Sequence, residues 1–490
     1  MQLFFSIFTI MLVLIGATGN ALATNGMETL AWGGRAAGMA GVDLAIATDS
    51  TAINTNPAGL MQLLGHRIDF GGSALIPILH FENDLNDEDG STQIFPMPLL
   101  SYAYRFQNIP IAVGAGLFAQ GGMGADFELE HATLGKNIEY SSQLGYIKFA
   151  PAIAWQPHKM LSLGLAANLG YATMAMKMPY SVPPSIMQGT SMRGGSELGY
   201  GDLFSSMLGY EELTALTELE DASGLGYGAK FGLMFMPHER ISFGLVYTME
   251  STLNFDGTAS MDMQGQFDDA MPRMSDAFQL MPSVSSPDEA QAAIQEFFQE
   301  NDIDPSRGYA AKYDAEIGFA WPQKVGMGVA VKATDALLIG LDVNWINWSA
   351  TMDKFKMTMK NGDNRNINNM IGSDKVVVEI PMDWDDQITI SIGGQYEFIE
   401  DAFARLGFNY GKNPVPDDTV FPVFPAVVEY HFALGGGYNF QDFFEINMAW
   451  EHALANTQKA VTDHAIASEY DNSKSTLGEH TIHTMFSFMF

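Results

Sequence analysis

Apolar and polar side chains alternate with a period of two along most of the chain, from about residue 67 to the C-terminus. Ile388, Ile390, Ile392, Tyr396 and Phe398 share one face, against Thr389, Ser391, Gln395 and Glu397 on the other. Ile241, Phe243, Leu245, Tyr247 and Met249 oppose Ser242, Gly244, Thr248 and Glu250. Val428, Tyr430, Phe432, Leu434 and Tyr438 do the same against Glu429 and His431, as do Phe444, Ile446, Met448 and Trp450 against Glu445, Asn447 and Glu451. Each segment is a strand with one apolar face, and no helices alternate between them. Lipid outside and a wet lumen inside account for that pattern, so the expected fold is all-β, a transmembrane antiparallel β-barrel. Lysines and arginines that fall on the inward parity are Lys148, Lys230, Lys324, Lys332 and Arg405.

The connections alternate in length. Short ones fall near Gln107, Pro157, Pro237, Thr334, Glu400 and Gln441; long ones fall near 82–96, 121–137, 179–224, 260–311, 359–383, 412–427 and 456–476. Six short and seven long connections imply about fourteen strands, with periplasmic turns at one end and extracellular loops at the other. The last residues, Phe486, Phe488 and Phe490, share a face and end the chain on an aromatic, similar to the assembly signal of outer-membrane barrels.

Two stretches break the alternation. Residues 36–63 are small and short-polar, with three glycines and the sequence Asn56-Pro57-Ala58-Gly59. They carry too few large apolar side chains to form their own core and become compact only if enclosed, which makes residues 24–65 the expected plug, or hatch, of the barrel (residues 66–490). In the two largest loops, 179–224 and 260–311, apolar residues recur at helical spacing. Leu203, Phe204, Met207, Leu208, Leu213, Leu216 and Leu219 in the first, with Phe297 and Phe298 in the second, either leave an apolar outer groove between them or pack on one another.

Charge and composition narrow the class. The chain carries 57 acids against 24 bases, a formal net charge of −33, which excludes nucleic acid as a partner. An apolar share of 47% is too high for disorder. Cysteine is absent, so there are no disulfides, thiolate ligands or thiol nucleophiles. Residues 1–23 read as a signal peptide, cleaved before Thr24 after Ala21-Leu22-Ala23, although the usual basic residue near the start is missing. A catalytic constellation is not legible: no Gly-x-Ser-x-Gly elbow occurs, and His480 and His483 are an odd number apart on a strand, facing opposite sides. No enzyme, metal or cofactor is therefore expected, and a plug also argues against an aqueous porin or a purely structural barrel.

Four stretches together resemble the FadL/TodX (OMPP1) family of outer-membrane transporters for long-chain fatty acids and other hydrophobic compounds. They are Gly38-Met39-Ala40-Gly41 through Asn56-Pro57-Ala58-Gly59; Trp321-Pro322-Gln323-Lys324 with Asp342 to Trp348; Asp383-Trp384 through Arg405-Leu406-Gly407-Phe408 to Asn413-Pro414-Val415-Pro416-Asp417; and Leu434-Gly435-Gly436-Gly437-Tyr438. The resemblance implies fourteen strands, an N-terminal hatch in the lumen, capture of cargo at an outer groove, an interior apolar pocket and lateral exit beside a kinked third strand. Long-chain fatty acids and aromatic or alkane hydrocarbons are alternative cargoes of the same architecture. The expected partners are that hydrophobic ligand and outer-membrane lipid, with the protein a monomer in the bacterial outer membrane.

Residues suited to those roles can be named. Gly114, Gly116, Gly121 and Gly122 lie in or just after the third strand and permit a kink. Lys148, Lys230, Lys324 and Arg405 are candidates for holding a ligand head group. Asn56, Pro57 and Ala58 are candidates for gating, with the Asn56 amide expected to satisfy unpaired groups of the kinked strand.

Overall fold

The computed structural model describes residues 25–193, 196–280 and 284–490. The expected signal peptide, residues 1–23, lies outside them. Fourteen strands follow one another in antiparallel order: β1 (His66–Glu82), β2 (Phe95–Arg105), β3 (Ile111–His131), β4 (Lys136–His158), β5 (Leu161–Val182), β6 (Leu213–His238), β7 (Ile241–Thr248 continuing as Ser251–Asp262), β8 (Ala310–Trp321 continuing as Lys324–Lys332), β9 (Leu337–Ile346 continuing as Lys354–Lys360), β10 (Val376–Pro381 continuing as Gln387–Ile399), β11 (Ala402–Gly411), β12 (Tyr430–Phe440), β13 (Phe444–Lys459) and β14 (Lys474–Met489). The sheet closes on itself because β1 pairs with β14 along its whole length, from Arg67↔Met489 to Glu82↔Lys474. Closure leaves no free edge, which is the condition for a sheet to stand in hydrocarbon.

The alternation predicted from sequence is the alternation observed. Ile388, Ile390 and Ile392 are 58, 43 and 50% exposed, while Thr389 and Ser391 between them are buried. The same outward belt continues through Phe243, Leu245 and Tyr247, and Phe432, Leu434 and Tyr438. Val428 departs from it: it precedes β12 and is buried, because the chain there has already left the wall. His480 stacks on His452 at 4.5 Å, while His483 is buried inside beside Ser73.

Three loop expectations change. β3 runs through residues 121–131 and turns to β4 within four residues, so no long loop occupies 121–137. Leu213, Leu216 and Leu219 belong to β6, not to a loop helix, because their pairing with β5 and β7 extends the strand well beyond the outward apolar belt. The connection at residues 412–429 folds into the lumen: Val415, Val420, Phe421, Val423, Phe424, Val427 and Val428 are all buried. At roughly 1.5–3 kcal/mol per fully buried apolar side chain, burial stabilises this segment, which has no strand ladder and is bonded by side chains such as Ser142, Asn456 and Gln458.

Two helices, α2 (Gln264–Gln279) and α3 (Pro287–Glu300), rise between β7 and β8 and pack on each other; a shorter turn at the plug, α1 (Gly34–Ala37), lies far from them. None of the helices is long and apolar enough to cross a membrane among the described residues.

Candidate functional site

Residues 25–63 run through the lumen almost entirely buried. Their contacts fall on many strands, α1 against β12 and β13, and the 3-10 turns Ser50–Ile53 and Pro57–Gln62 against β3, β4, β5 and β6. Part of the segment is held by ions. Arg35 pairs with Glu445 of β13, whose other oxygen accepts from Arg67 Nη2 at 3.1 Å. Arg67 Nε also reaches Asp69 at 3.0 Å, and Asp69 accepts from the Ser50 backbone N–H at 2.7 Å. Asp342 of β9 accepts from the backbone N–H groups of Asp43 and Leu44 at 2.8 and 2.9 Å. These bonds carry a buried charge network, and a buried ion left without its partner is costly, so the anchor is strong.

Residues 27–32 are held against β3, largely by backbone. β2 and β3 pair only from Arg105↔Ala112 to Leu99↔Phe118. Beyond that, Pro96 and Pro98 of β2 lack N–H donors, and β3 shifts register against β4 between Ala119 and Gly121. Gly121 adopts φ 136°, a region in which a Cβ is strained. The polar groups that β2 leaves open are met from inside. Gly122 N–H donates to Met27 O at 3.1 Å, Thr29 N–H donates to Gln120 O at 3.1 Å, and Trp32 Nε1–H donates to Ala119 O at 2.6 Å. Glu28 thus forms an antiparallel bridge with Gly121.

Of the four glycines named from the sequence, Gly121 makes the bend and Gly122 donates across it. Gly114 and Gly116 do not belong to the opening: they sit in intact pairing with Ala103 and Ser101. Gly114 instead makes room for Ile53, whose Cδ1 would lie 2.8 Å from an added Cβ.

Three of the four candidate head-group cations converge beside this bridge. Lys324 Nζ lies 2.8 Å from Glu28 Oε1, Lys230 donates to the Asn54 carbonyl, and the two ammonium groups stand 6.0 and 5.9 Å from the Trp32 ring. Lys148, buried on β4 opposite Phe118, interacts electrostatically with Lys230, Lys324 and Glu28. Lys324 also interacts electrostatically with Asp342, and Asp43 lines the same cavity as Lys230 and Lys324, so the three amines stand among three acids. Arg405 is not part of this group; it donates to Gln395 Oε1 at 2.7 Å and abuts Gly38 on the opposite wall. Lys332 is exposed at the short-turn end, donating its backbone N–H to Arg240 O, and faces no lumen group.

The cavity bounded by Leu30, Trp32, Leu44, Lys230, Lys324 and Asn344 measures about 40 Å³. That holds a few waters, whereas ligand pockets run to roughly 300–1,000 Å³. Any cargo that reaches the lysines must displace part of the inner segment.

Asn56 does not reach β3. Its amide donates to Leu44 O at 2.7 Å and to Leu233 O of β6 at 3.2 Å, and its side-chain oxygen caps Ala58 N–H at 3.1 Å. Pro57 and Ala58 press on Gly164 of β5, where an added Cβ would lie 2.2 Å from Ala58 N. The unpaired groups of β3 are satisfied by Met27, Thr29 and Trp32 instead. Nor do Leu203, Phe204, Leu208, Phe297 and Phe298 line an open groove: all are buried, with Met207 half-buried beside them. Phe204 packs edge-on to Phe267 of α2 at 5.6 Å and Phe297 to Phe278 at 6.3 Å, so the helical faces consume one another.

Glu28 and the edge at residues 25–34 are not legible in the sequence because they carry no motif and no periodicity. One signal was available: Trp32 is the single large aromatic in a run of small residues, and such a ring needs a partner for its N–H.

Residues 12–484 match the family described as outer membrane protein transport protein (OMPP1/FadL/TodX). The chain belongs to that family and is an outer-membrane β-barrel transport protein. Among solved structures it is similar to the toluene transporter TodX of Pseudomonas putida, at 18% identity and a TM-score of 0.67, covering 95% of this chain and 100% of that one. A FadL homologue of Pseudomonas aeruginosa gives 15% identity and 0.65, covering 96% and 99%. The toluene transporter TbuX of Ralstonia pickettii gives 13% and 0.63, covering 94% and 99%. At these identities the likeness establishes the fold. An uncharacterized protein of Chlorobium limicola, encoded in the 5′ region of a phosphoenolpyruvate carboxykinase gene, is 33% identical over 114 residues. That match covers 23% of this chain and spans about half, 54%, of the relative's length.

Proposed function

We propose that this family member takes up an apolar molecule with an anionic head, long-chain fatty acids foremost, and releases it sideways between β2 and β3. The observation that carries the reading is the placement of Lys148, Lys230 and Lys324 beside the stretch of wall where β2 stops pairing with β3. A carboxylate entering a low-dielectric lumen needs donors to receive it, and three amine groups gather there beside Glu28, Asp43 and Asp342. Glu28 holds Lys324 in the meantime. The way residues 25–63 are held supports the exit: Arg35 pairs with Glu445 and the backbone N–H of Asp43 donates to Asp342, while residues 27–32 are tied to β3 by two backbone hydrogen bonds and the Trp32 N–H, with Glu28 paired to Lys324. Movement of residues 27–32 opens the gap without unseating Arg35 and Asp43.

Aromatic hydrocarbons are the second reading. Tyr146, Trp321, Trp348 and Trp384 form a row through the interior with successive ring centroids 5.0, 6.2 and 5.4 Å apart. Tyr146 is the register partner of Gly121, so the row ends at the bend. The solved relatives from P. putida and R. pickettii are toluene transporters.

The test is uptake of radiolabelled oleate and of radiolabelled toluene by cells lacking their own fatty acid uptake and expressing this chain. Oleate accumulation above the empty-vector control, reduced by Lys324→Met, supports the fatty acid reading. Toluene accumulation alone favours the second. Neither compound entering above control defeats both.

A further inference from the structure

The short-turn end of the barrel, which faces the periplasm in proteins of this class, is a row of turns bonded to one another. Gln156 N–H donates to Pro110 O at 2.9 Å, Met236 N–H to Met160 O at 2.8 Å, and Lys332 N–H to Arg240 O at 2.9 Å. The turns β2–β3, β4–β5, β6–β7 and β8–β9 are thereby fixed side by side.

Two of them repeat one construction. Pro157-His158 leads the β4–β5 turn and Pro237-His238 leads the β6–β7 turn. His158 Nδ1 accepts from Met160 N–H at 3.3 Å, and His238 Nδ1 accepts from Arg240 N–H at 3.2 Å. A neutral imidazole that accepts at Nδ1 carries its proton on Nε2. Both rings are exposed, so each turn presents an outward N–H donor. Lys159, Arg240 and Lys332 stand exposed beside them.

The acids of these turns are Glu239 and Asp335. Asp335 engages Arg240 at 2.6 Å, an exposed pair that contributes little in water. Lys159 and Lys332 make no ion pair among the described residues. No Asp or Glu occurs from Tyr140 to Val182, so nothing on β4, β5 or the turn between them offsets Lys159. The next turn around the ring, β10–β11, reverses the sign: it carries Glu397, Glu400 and Asp401 and no base. The basic edge is confined to one sector.

Above that sector the outer wall is an exposed apolar strip. Trp155 lies opposite Leu163, and Phe235 stacks beside Phe243 with centroids 6.4 Å apart. Donors for a phosphate therefore end where a surface for acyl chains begins. A soluble anion would leave the strip unused, and an ethanolamine head would set its own ammonium against Lys159.

We propose that the β4–β5 and β6–β7 turns seat an anionic phospholipid of the periplasmic leaflet, of the phosphatidylglycerol class. His158, Lys159 and His238 hold its phosphate across two strand spacings, about 10 Å. Arg240 and Lys332 continue the basic edge, and the acyl chains lie on the strip from Trp155 to Phe243. The seat requires only that the barrel stands in a membrane, so it is independent of which cargo the protein carries.

The test is native mass spectrometry of the purified protein titrated with dioleoylphosphatidylglycerol or dioleoylphosphatidylethanolamine. Wild type is expected to bind the first about fivefold or more tightly than the second, the scale of one basic residue at an anionic lipid surface. Lys159→Gln/Lys332→Gln should lose most of that preference. Lys354→Gln/Lys356→Gln, which removes the same charge at the loop end, should keep it. All four lysines are exposed, and heat-dependent gel mobility checks that each variant folds. Equal binding of the two lipids by wild type overturns the seat. So does a preference that survives in Lys159→Gln/Lys332→Gln, or one lost equally in both variants, which would reduce it to net charge. A measurement on wild type alone stands beside these. The preference should collapse when salt is raised to about 1 M, where screening acts within about 3 Å, and a salt-independent preference also overturns the proposal.

Discussion

Glu28 meets Gly121 in an antiparallel bridge, across 93 positions of sequence, and it does so at the one residue of β3 whose φ is 136°. The inner segment therefore works there as a short strand, supplying from the lumen what β2 withholds. Its hold is two backbone hydrogen bonds, one indole N–H and one ion pair. A bend that a Cβ would strain is thus sealed by an element that can detach.

Lys324→Met is expected to weaken oleate uptake and leave toluene uptake unchanged. A hydrogen bond to a charged group contributes about 1.5–3 kcal/mol, so the loss in apparent affinity is on the order of 10- to 100-fold. Paired uptake curves for the two compounds check this; an equal effect on both would mean that Lys324 acts only through folding.

Gly121→Val places a branched side chain at a positive φ, at a cost of about 1–3 kcal/mol. The barrel, closed by the β1–β14 ladder, is expected to assemble normally by heat-dependent gel mobility. The local strain should straighten β3 and release Met27 and Thr29, seen as faster amide exchange at Thr29 and Gly122. Unchanged exchange would show that the bend is set by β2 alone.

Asn56→Ala removes a cap on Ala58 and two donated bonds, to Leu44 and Leu233. The expected loss is about 1–2 kcal/mol of local stability. Faster amide exchange should appear around residues 56–60 and spare Thr29. Exchange that rises first at Thr29 would mean the two ends of the segment move together.

Glu469, in the connection between β13 and β14, is a pH-sensitive contact. Burial pushes its carboxyl up to about 7; Tyr140 donates to it at 2.6 Å, His131 lies 3.5 Å away, and Tyr470 and Glu212 are its other titratable neighbours. A raised acid stabilises the folded loop fully below its ordinary value of about 4.3, and that stability is lost as pH rises through 7. His464 in the same loop is lowered by burial, so it acts in the opposite sense below about 6.5. Proteolytic nicking within residues 460–473 is expected to speed up between pH 6.5 and 8, and Glu469→Gln should abolish that rise. A rise that persists in the variant assigns it to another group.

The lipid-facing surface was open to reading in the sequence because hydrocarbon demands the same thing of every strand. Ile388 or Phe243 faces outward by parity alone, and closure follows because a sheet edge cannot stand in lipid. Even the inward direction of Lys148, Lys230 and Lys324 followed from that count, with no knowledge of what they meet. What they meet was decided by the third dimension. Lys324 finds Glu28 across 296 positions, and Arg405, of equal parity and charge, lands on the opposite wall beside Gly38. Parity states a direction, not a neighbour around the ring. The same limit hid which glycine bends: Gly114 and Gly121 are alike in sequence, and only the point at which β2 stops pairing separates them. For residues 420–425, an apolar run with two prolines could not sit in water as a loop tip, but whether it turned inward or lay against another loop depended on empty volume inside the barrel, which no local pattern records.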